Sequence, residues 1–233
     1  SYERRGFFAI NALWKNKIAV LVGDFLLSQG LLLSVKSQQF QLLEIVSRAV
    51  REMAEGELLQ MEKARRLDIK EEIYHDIIRQ KTASLIAAAC SAGAASTSDD
   101  PEVVKRMHLF GEKTGMAFQI RDDLFDFGTD DVGKPLGIDI KEKKMTLPLI
   151  YCLANADRAT RRHILNLVKN ESHKTDKVAE VIQLVRQSGG IEYATEAMYR
   201  YRQEAFDLLD QAPPSEAREA LRQLLVYVTE RKK

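Results

Sequence analysis

Few residues in this chain can interrupt a helix. Glycine and proline number 12 and 5 among 233 residues, and no region shows the sustained alternation of Val, Ile and Thr that marks β-strands. An all-β or alternating βαβ protein needs more turn residues than this sequence provides. The sequence therefore predicts an all-α protein built from long helices.

Helical periodicity and capping residues give approximate bounds for these helices. The sequence predicts helices at about 15–34, 37–66, 70–96, 101–127, 147–154, 157–168, 175–188, 191–211 and 215–230. In SDDPE, Pro101 takes the first helical position behind an aspartate, and the pair Gly189-Gly190 separates two helices. No internal repeat or low-complexity linker divides the sequence, so one domain over residues 1–233 is expected.

Charge and cysteine usage exclude several classes of protein. Lys and Arg number 35 against 34 Asp and Glu, which argues against a basic nucleic-acid binder. Cys90 and Cys152 lie in apolar stretches without a CxxC spacing, as in reduced core residues of a cytoplasmic protein.

The longest apolar run, residues 18–33, is broken by polar residues and glycines, so no membrane span is expected. P-loop, GxGxxG and GxSxG motifs are absent from the sequence.

The segment FQIRDDLFDF concentrates acidic residues on one helix face. At 100° per residue, Gln119, Asp122, Asp123 and Asp126 span an arc of about 100°. Carboxylates that converge repel one another unless a cation lies between them, and oxygen ligands suit Mg²⁺. A solvated acidic face is the alternative interpretation.

The surroundings of these acids favour a pocket over a solvated face. Apolar residues, including Phe118, flank the acids, and the same face carries Gly115 one turn earlier and Gly111 two turns earlier. We interpret the two glycines as leaving space beside the acids. The sequence therefore predicts the mouth of a pocket at this face.

Basic residues occur in three further places. The irregular segment 128–144 carries Lys134, Lys141, Lys143 and Lys144 among acidic residues, as expected of a loop that closes over phosphate or of a surface loop. Lys81 and Thr82 begin a helix of mostly small residues, which indicates either tight packing or a channel for a long apolar ligand. Arg4-Arg5 could grip phosphates in fork geometry.

Taken in order, the motifs resemble those of the all-trans polyprenyl diphosphate synthases, the head-to-tail chain-elongating prenyltransferases. The resemblance covers essentially the whole chain through ERRG, NKIAVLVGDFLLS, GELLQ, YHDIIRQKTASL, GMAFQIRDDLFDF and GKPLGIDIKEKKMTLPLI. It implies the isoprenoid synthase fold, a bundle of long helices around a central cavity, and a homodimer. No nucleic acid partner is implied.

The resemblance also implies roles for single residues. Asp122, Asp123 and Asp126 are similar to the second aspartate-rich motif, whose Mg²⁺ bridges to the allylic diphosphate. Thr82 and Gln119 match positions beside the developing carbocation. The positions implied to contact or enclose the substrates are Arg4, Arg5, Gln60, Lys81, Phe118, Lys134 and Lys144. Among these, Lys81 and Lys134 would contact the allylic diphosphate, Arg4 would face it, and Arg5 would hold the isopentenyl diphosphate.

The implied reaction ionises an allylic diphosphate, whose cation is attacked by the double bond of isopentenyl diphosphate, and a proton is then lost. A long product such as octaprenyl diphosphate, for a quinone side chain, is expected, with farnesyl- or geranylgeranyl-type synthesis as the alternative. A non-catalytic subunit of a heteromeric synthase and a terpene cyclase on the same fold are rival hypotheses.

One departure from the family's pattern affects these expectations. Family members carry a first aspartate-rich motif just upstream of the position of Arg4-Arg5, and this chain starts after that motif. It begins at Ser1 without an initiator Met. We therefore expect the chain to be part of a longer protein and, taken alone, to be impaired in catalysis.

Overall fold

The computed structural model describes residues 3–4, 7–64, 67, 69–128 and 136–231. The described chain is helical apart from turns and one pair of two-residue strands, so the all-α prediction is confirmed. Residues Ser1–Ser47 and Arg48–Lys233 form two compact units. The single domain expected from the sequence stays a prediction.

The first unit contains the strands and a long apolar helix. Strands Glu3–Arg4 (β1) and Phe7–Phe8 (β2) pair antiparallel. Helix Ile10–Lys36 (α1) follows and is interrupted near its start, where Lys15 has a φ of +70°. The unit ends inside Phe40–Ala64 (α2).

Helix α1 bears on the expectation that the chain has no membrane span. Its residues Ala12–Lys36 are long and apolar enough to cross a membrane, and none of their most apolar window is buried. Length and composition are the only grounds for that comparison, and a core helix of a soluble protein meets the same criteria. The absence of a span therefore stays a prediction.

The second unit holds the remaining helices, whose bounds are Glu71–Ile78 (α3), Ser84–Ala95 (α4), Pro101–Phe125 (α5), Ile138–Lys141 (α6), Leu147–Asn155 (α7), Arg158–Asn170 (α8), Thr175–Gln187 (α9), Gly190–Leu209 (α10) and Glu216–Glu230 (α11). A π-helical segment, Arg79–Ala83, joins α3 to α4 without a break. Apart from the start of α1, the predicted helix ends lie within three residues of the observed ones. The short helix α6 was not predicted.

The capping residues act as the sequence indicates. The Asp100 carboxylate accepts the N–H of Glu102 at 2.9 Å, with Pro101 in the first position of α5. The Ser215 hydroxyl accepts the N–H of Arg218 at 3.1 Å at the start of α11. Gly189 takes a φ of +79°, which favours glycine, and so separates α9 from α10.

Helix α5 is the central element of the second unit and packs against both α4 and α10. A Cβ added at Gly111 would lie 2.7 Å from the Cα of Ala87, and one at Gly115 would lie 2.5 Å from the Cα of Ala83. The two glycines therefore let two helical backbones approach each other. Our interpretation that they leave space for a pocket was wrong, and at Ala83 and Ala87 the small residues serve tight packing.

Candidate active site

The π-helical segment Arg79–Ala83 places Lys81 against α2. A π turn accommodates an extra residue in a helix, and such turns are frequent at functional sites. Gly56 permits the approach of α2, since a Cβ there would lie 2.8 Å from both the backbone nitrogen of Lys81 and the Cβ of Gln80. The two helical backbones are therefore in direct contact beside Lys81.

Two side chains of α2 hold the Lys81 ammonium group. Its Nζ lies 2.6 Å from Oε2 of Glu57 and donates to Oε1 of Gln60 at 2.7 Å. The Lys81 side chain keeps 38% of its surface exposed. The structure thus brings together Lys81 and Gln60, which the sequence assigned to one site, and adds Glu57, which the sequence analysis missed.

A chain of hydrogen bonds begins at the neighbouring Thr82 and ends on α3. Thr82 Oγ1 donates to Oε1 of Gln119 at 2.9 Å, and Gln119 Nε2 donates to Oδ1 of Asp123 at 2.9 Å. The other carboxylate oxygen of Asp123 accepts the hydroxyl of Tyr74 at 2.7 Å. Side chains from α3, the π-helical segment and α5 are therefore held in one fixed arrangement.

Burial dominates the electrostatics of the acidic residues. Burial raises the pKa of Asp123 to about 7, the hydrogen bond from Tyr74 opposes the rise, and the nearby charge of Asp139 adds to it. Burial and Asp139 likewise raise the pKa of Asp126 to about 6. The pKa of Tyr74 lies well above its usual value, first because of burial and then because of Asp123. Burial is thus the largest cause of each of these three shifts.

Asp126 binds backbone rather than other side chains. Its two oxygens accept the N–H groups of Ile138 at 2.8 Å and Asp139 at 3.1 Å. Its own carbonyl oxygen accepts the N–H of Gly137 at 3.2 Å. Asp126 therefore joins the end of α5 to the first residues of α6.

Asp122 differs from the other two aspartates in exposure and in partner. Its side chain is 40% exposed, whereas Asp123 and Asp126 are buried, and it forms an ion pair with Arg231. The Arg231 guanidinium also lies over the rings of Phe118, at 4.6 Å, and Phe125, at 5.4 Å. Phe118, predicted to line the substrate site, is thus in contact with an arginine.

Of the other basic residues predicted to contact the substrates, Lys144 is the one whose side-chain contacts the structure describes. Lys144 Nζ lies 3.0 Å from Oδ1 of Asp139 and 2.7 Å from Oε2 of Glu142. Burial lowers the pKa of Lys144, but these two contacts outweigh it and raise the pKa overall. Lys134 and Arg5 lie outside the described residues, and Arg4 is described only as part of β1.

The carboxylates of this face offer oxygen ligands to a divalent cation. Within the described residues, no three His, Cys, Asp or Glu side chains are grouped closely enough to form a metal cage. Mg²⁺ does not need one, because it commonly binds one or two carboxylates, several waters and substrate phosphates. Asp122 is the carboxylate with solvent access, and the buried Asp123 and Asp126 lie on the same face of the helix end. The residues present therefore fit a hydrated divalent cation.

Three residues of this site were not identified from the sequence. Tyr74 opens the motif YHDIIRQKTASL, in which only Lys81 and Thr82 were assigned roles, and its partner Asp123 is 49 residues away. Glu57 lies in GELLQ, where only Gln60 was singled out. Arg231 meets Asp122 across 109 residues. Of the three, only Glu57 could have been found from local spacing, because it lies three residues before Gln60 and so on the same face of α2.

Comparison with known proteins identifies relatives over nearly the whole chain. The family model described as Polyprenyl synthetase matches residues 1–185. A protein named short chain isoprenyl diphosphate synthase, from Methanothermobacter thermautotrophicus, is 35% identical over 234 residues, which cover 98% of this chain and 71% of that protein.

Two solved structures are similar throughout. The decaprenyl diphosphate synthase from Rhodobacter capsulatus has a TM-score of 0.93 at 34% identity, and the match covers 100% of this chain and 72% of the synthase chain. A polyprenyl synthase from Caulobacter crescentus, complexed with calcium and isoprenyl diphosphate, has a TM-score of 0.90 at 32% identity, with coverages of 100% and 72%. The fold expected from the sequence motifs is confirmed by these likenesses.

Proposed function

Because this chain belongs to the polyprenyl synthetase family, we propose that it is a prenyltransferase that joins isopentenyl diphosphate to an allylic prenyl diphosphate. The allylic C–O bond breaks, and its electron pair leaves with the diphosphate. The double bond of isopentenyl diphosphate then forms a C–C bond with the allylic cation. Loss of a proton, which the released diphosphate can accept, restores a double bond and gives a longer all-trans prenyl diphosphate.

The observation that carries this proposal is the adjacency of Lys81 to the hydrogen-bonded chain Thr82–Gln119–Asp123. Ionisation places negative charge on the departing diphosphate, and a positioned ammonium group stabilises that charge as it develops. Glu57 and Gln60 fix the Lys81 ammonium before substrate arrives, which lowers the cost of organising it. Lys81 therefore acts on the leaving group.

Thr82 and Gln119 act on the opposite charge. Because Thr82 gives its hydroxyl proton to Gln119, the lone pairs of Thr82 Oγ1 stay available to a neighbouring cation. Gln119 is in turn fixed by its bond to Asp123, and Tyr74 fixes Asp123. In this proposal the hydrogen bonds from Thr82 to Gln119 and on to Asp123 orient the Thr82 hydroxyl oxygen toward the allylic carbocation. A neutral hydroxyl is not a strong nucleophile, so the cation is not trapped.

We propose Asp122 as the direct ligand of a divalent cation, and Asp123 and Asp126 as neighbouring carboxyl groups whose ionised forms that cation would favour. Mg²⁺ is the proposed ion, and when bound it would neutralise diphosphate charge. Arg4, Arg5, Lys134 and Lys144 remain proposed diphosphate contacts. Phe118 remains a proposed substrate contact.

We propose a long product, such as octaprenyl diphosphate for a quinone side chain, made by a cytoplasmic homodimer. Similarity to the decaprenyl synthase supports the long product. Similarity to the short chain synthase supports the alternative of a farnesyl- or geranylgeranyl-type product.

Incubation of the protein, at its natural length, with farnesyl diphosphate, isopentenyl diphosphate and Mg²⁺ tests this function, with products sized by mass spectrometry. A ladder ending in one prenyl diphosphate is expected, and its length decides between the two product classes. A folded protein that incorporates no isopentenyl units would contradict the proposal and favour a non-catalytic subunit. Turnover of an allylic diphosphate that is unaffected by Arg5→Ala would instead favour a cyclase.

A further inference from the structure

Arg231, the residue after α11, makes three kinds of contact with the aspartate face. Its guanidinium forms the ion pair with Asp122 and lies over the rings of Phe118 and Phe125. Its carbonyl oxygen accepts Nη2 of Arg121 at 2.9 Å and Nε at 3.3 Å. Main chain and side chain of Arg231 are therefore both anchored on the last turns of α5.

The docked guanidinium is nevertheless incompletely satisfied. Its Nε is buried and, among the described residues, has no hydrogen-bond partner. A buried donor without an acceptor destabilises the docked state, and an ion pair with a partly exposed carboxylate adds little to oppose this. The Arg231 side chain is thus placed at Asp122 without being locked there.

The position of this guanidinium conflicts with the position of a cation. A divalent cation bound directly by Asp122 would bring two positive groups to one carboxylate, and like charges at such a distance repel. We propose that Arg231 is an internal counter-ion of Asp122 that a divalent cation must displace, so that the arginine sets the affinity of the site for the metal. This rests on the proposed function, in which Asp122 is the direct ligand.

The contacts of the Arg231 main chain give the exchange a fixed geometry. Because Arg121 holds the carbonyl of Arg231, release of the guanidinium from Asp122 does not require the residue to leave α5. The side chain can return as soon as the cation departs. Arg231 thus neutralises Asp122 in the empty site and yields it to the metal in the loaded one.

A double-mutant cycle without metal tests the ion pair by itself. Thermal unfolding is measured in EDTA for wild type, Arg231→Gln, Asp122→Asn and the double variant. Each single change should lower the melting temperature by about 1–3 °C, and the double variant should be no worse than the less stable single variant. Strictly additive shifts would show that the two side chains do not interact and would overturn the proposal.

Direct metal binding tests the displacement. The binding of Mn²⁺, read from its electron paramagnetic resonance signal, should be about fivefold tighter in Arg231→Gln than in wild type, because no guanidinium competes. Arg231→Lys should fall between them. Arg222→Gln is the matched control, since Arg222 also pairs with a carboxylate, that of Asp210, and lies 4.9 Å from the ring centroid of Phe206, away from the aspartate face.

The variants separate failure of this proposal from failure of the proposed function. If Asp122→Asn weakens Mn²⁺ binding but Arg231→Gln leaves it at the wild-type value, Asp122 is a ligand and the counter-ion proposal is wrong. If Asp122→Asn also leaves Mn²⁺ binding unchanged, the metal role of Asp122 in the proposed function is wrong as well, and displacement at that residue is overturned.

Discussion

The ammonium nitrogen of Lys81 lies 2.6 Å from a carboxylate oxygen of Glu57. Glu57 is on α2, about one helical turn before Gln60, which also binds the ammonium group. The contact with Glu57 crosses from α2 to the π-helical segment and fixes the lysine proposed to act on the leaving diphosphate. The pair is partly exposed, with 38% of the lysine side chain and 51% of the glutamate side chain accessible. The Lys81 side chain therefore stays accessible to solvent while Glu57 holds its ammonium group in place.

We predict that Lys81 and Glu57 contribute to activity in different degrees. Lys81→Gln should lower kcat by about 100-fold because it removes a charge that stabilises the transition state. Glu57→Gln should lower kcat/KM by only about two- to fivefold, since the lysine keeps its charge and Gln60. Steady-state kinetics of both variants would measure this.

Lys113→Gln is the control for that comparison, because Lys113 forms a similar ion pair, 2.8 Å from Glu204, outside the proposed site. Its kinetics should match those of wild type. Equal losses in Lys81→Gln and Lys113→Gln would mean that the proposed role of Lys81 is incorrect.

Gly56 is predicted to be intolerant of any side chain. Gly56→Ala places a methyl group 2.8 Å from Lys81 N and Gln80 Cβ, and we expect it to destabilise the fold by about 1–3 kcal/mol. Gly93→Ala is the matched control on α4, where a Cβ meets nothing within 4 Å, and it should be stabilising by about 0.5–1 kcal/mol. Urea unfolding measures both, and a neutral Gly56→Ala would contradict the close approach of the two helices.

Asp122 and Asp123 are predicted to be needed for turnover. Asp122→Ala or Asp123→Ala should lose about 2–4 kcal/mol of transition-state stabilisation, as seen when other preorganised electrostatic groups are removed. The loss should appear in kcat at saturating Mg²⁺. Wild-type turnover by either variant under those conditions would disprove its assignment.

Asp126 is predicted to act through the main chain that it binds. Asp126→Ala removes the acceptors of the Ile138 and Asp139 N–H groups, so hydrogen exchange at those two amides should accelerate. Exchange at the α8 amides of Ile164 and Leu167, which lie in the core, serves as the internal reference. Unchanged protection of Ile138 and Asp139 would show that Asp126 does not anchor α6.

The Tyr193–Glu71 hydrogen bond, 2.6 Å long, predicts a stability difference at alkaline pH. That bond and, next, burial raise the pKa of Tyr193 from 10.0 to about 12, which means that folding favours the protonated phenol. The contribution of the protonated Tyr193 phenol to the free energy of unfolding is fully present below pH 10 and is lost as the pH rises from 10 towards 12.

Tyr193→Phe tests this dependence. The free energy of unfolding of wild type should exceed that of Tyr193→Phe by a constant amount between pH 7 and about pH 9.5, and the gap should narrow above pH 10. A gap that widens with pH would have the wrong sign for a raised phenol pKa.

Local sequence was sufficient to predict most helices of the second unit. Asp100, Pro101 and Ser215 cap α5 and α11 through bonds to residues two or three positions away, and such short-range signals can be read directly. The sequence also placed Lys81 with Gln60, and Thr82 with Gln119, but only through resemblance to a family. Spacing along one helix could not have joined them, because each pair links two elements.

The features that were misinterpreted or missed in the sequence depend on packing between separate elements. A glycine in a helix is compatible with empty space and with the close approach of another backbone, and only the packing of α4 on α5 decided that Gly111 and Gly115 serve the second. The π-helical turn at Arg79–Ala83 contains no Gly or Pro that would indicate a break in the helix. The ion pair between Asp122 and Arg231 depends on where α11 ends in space, which no local pattern encodes.

Asp126 holds its partners through main-chain N–H groups at positions 137–139, and of these positions only Gly137 restricts its side chain, because its φ is +76° and a Cβ there would collide with Val178. These bonds set the separation between the end of α5 and the start of α6 through the main chain. Ile138 and Asp139 can therefore be substituted without loss of the bonds to Asp126, whereas a side chain at position 137 would push α6 away from α9, to which Val178 belongs.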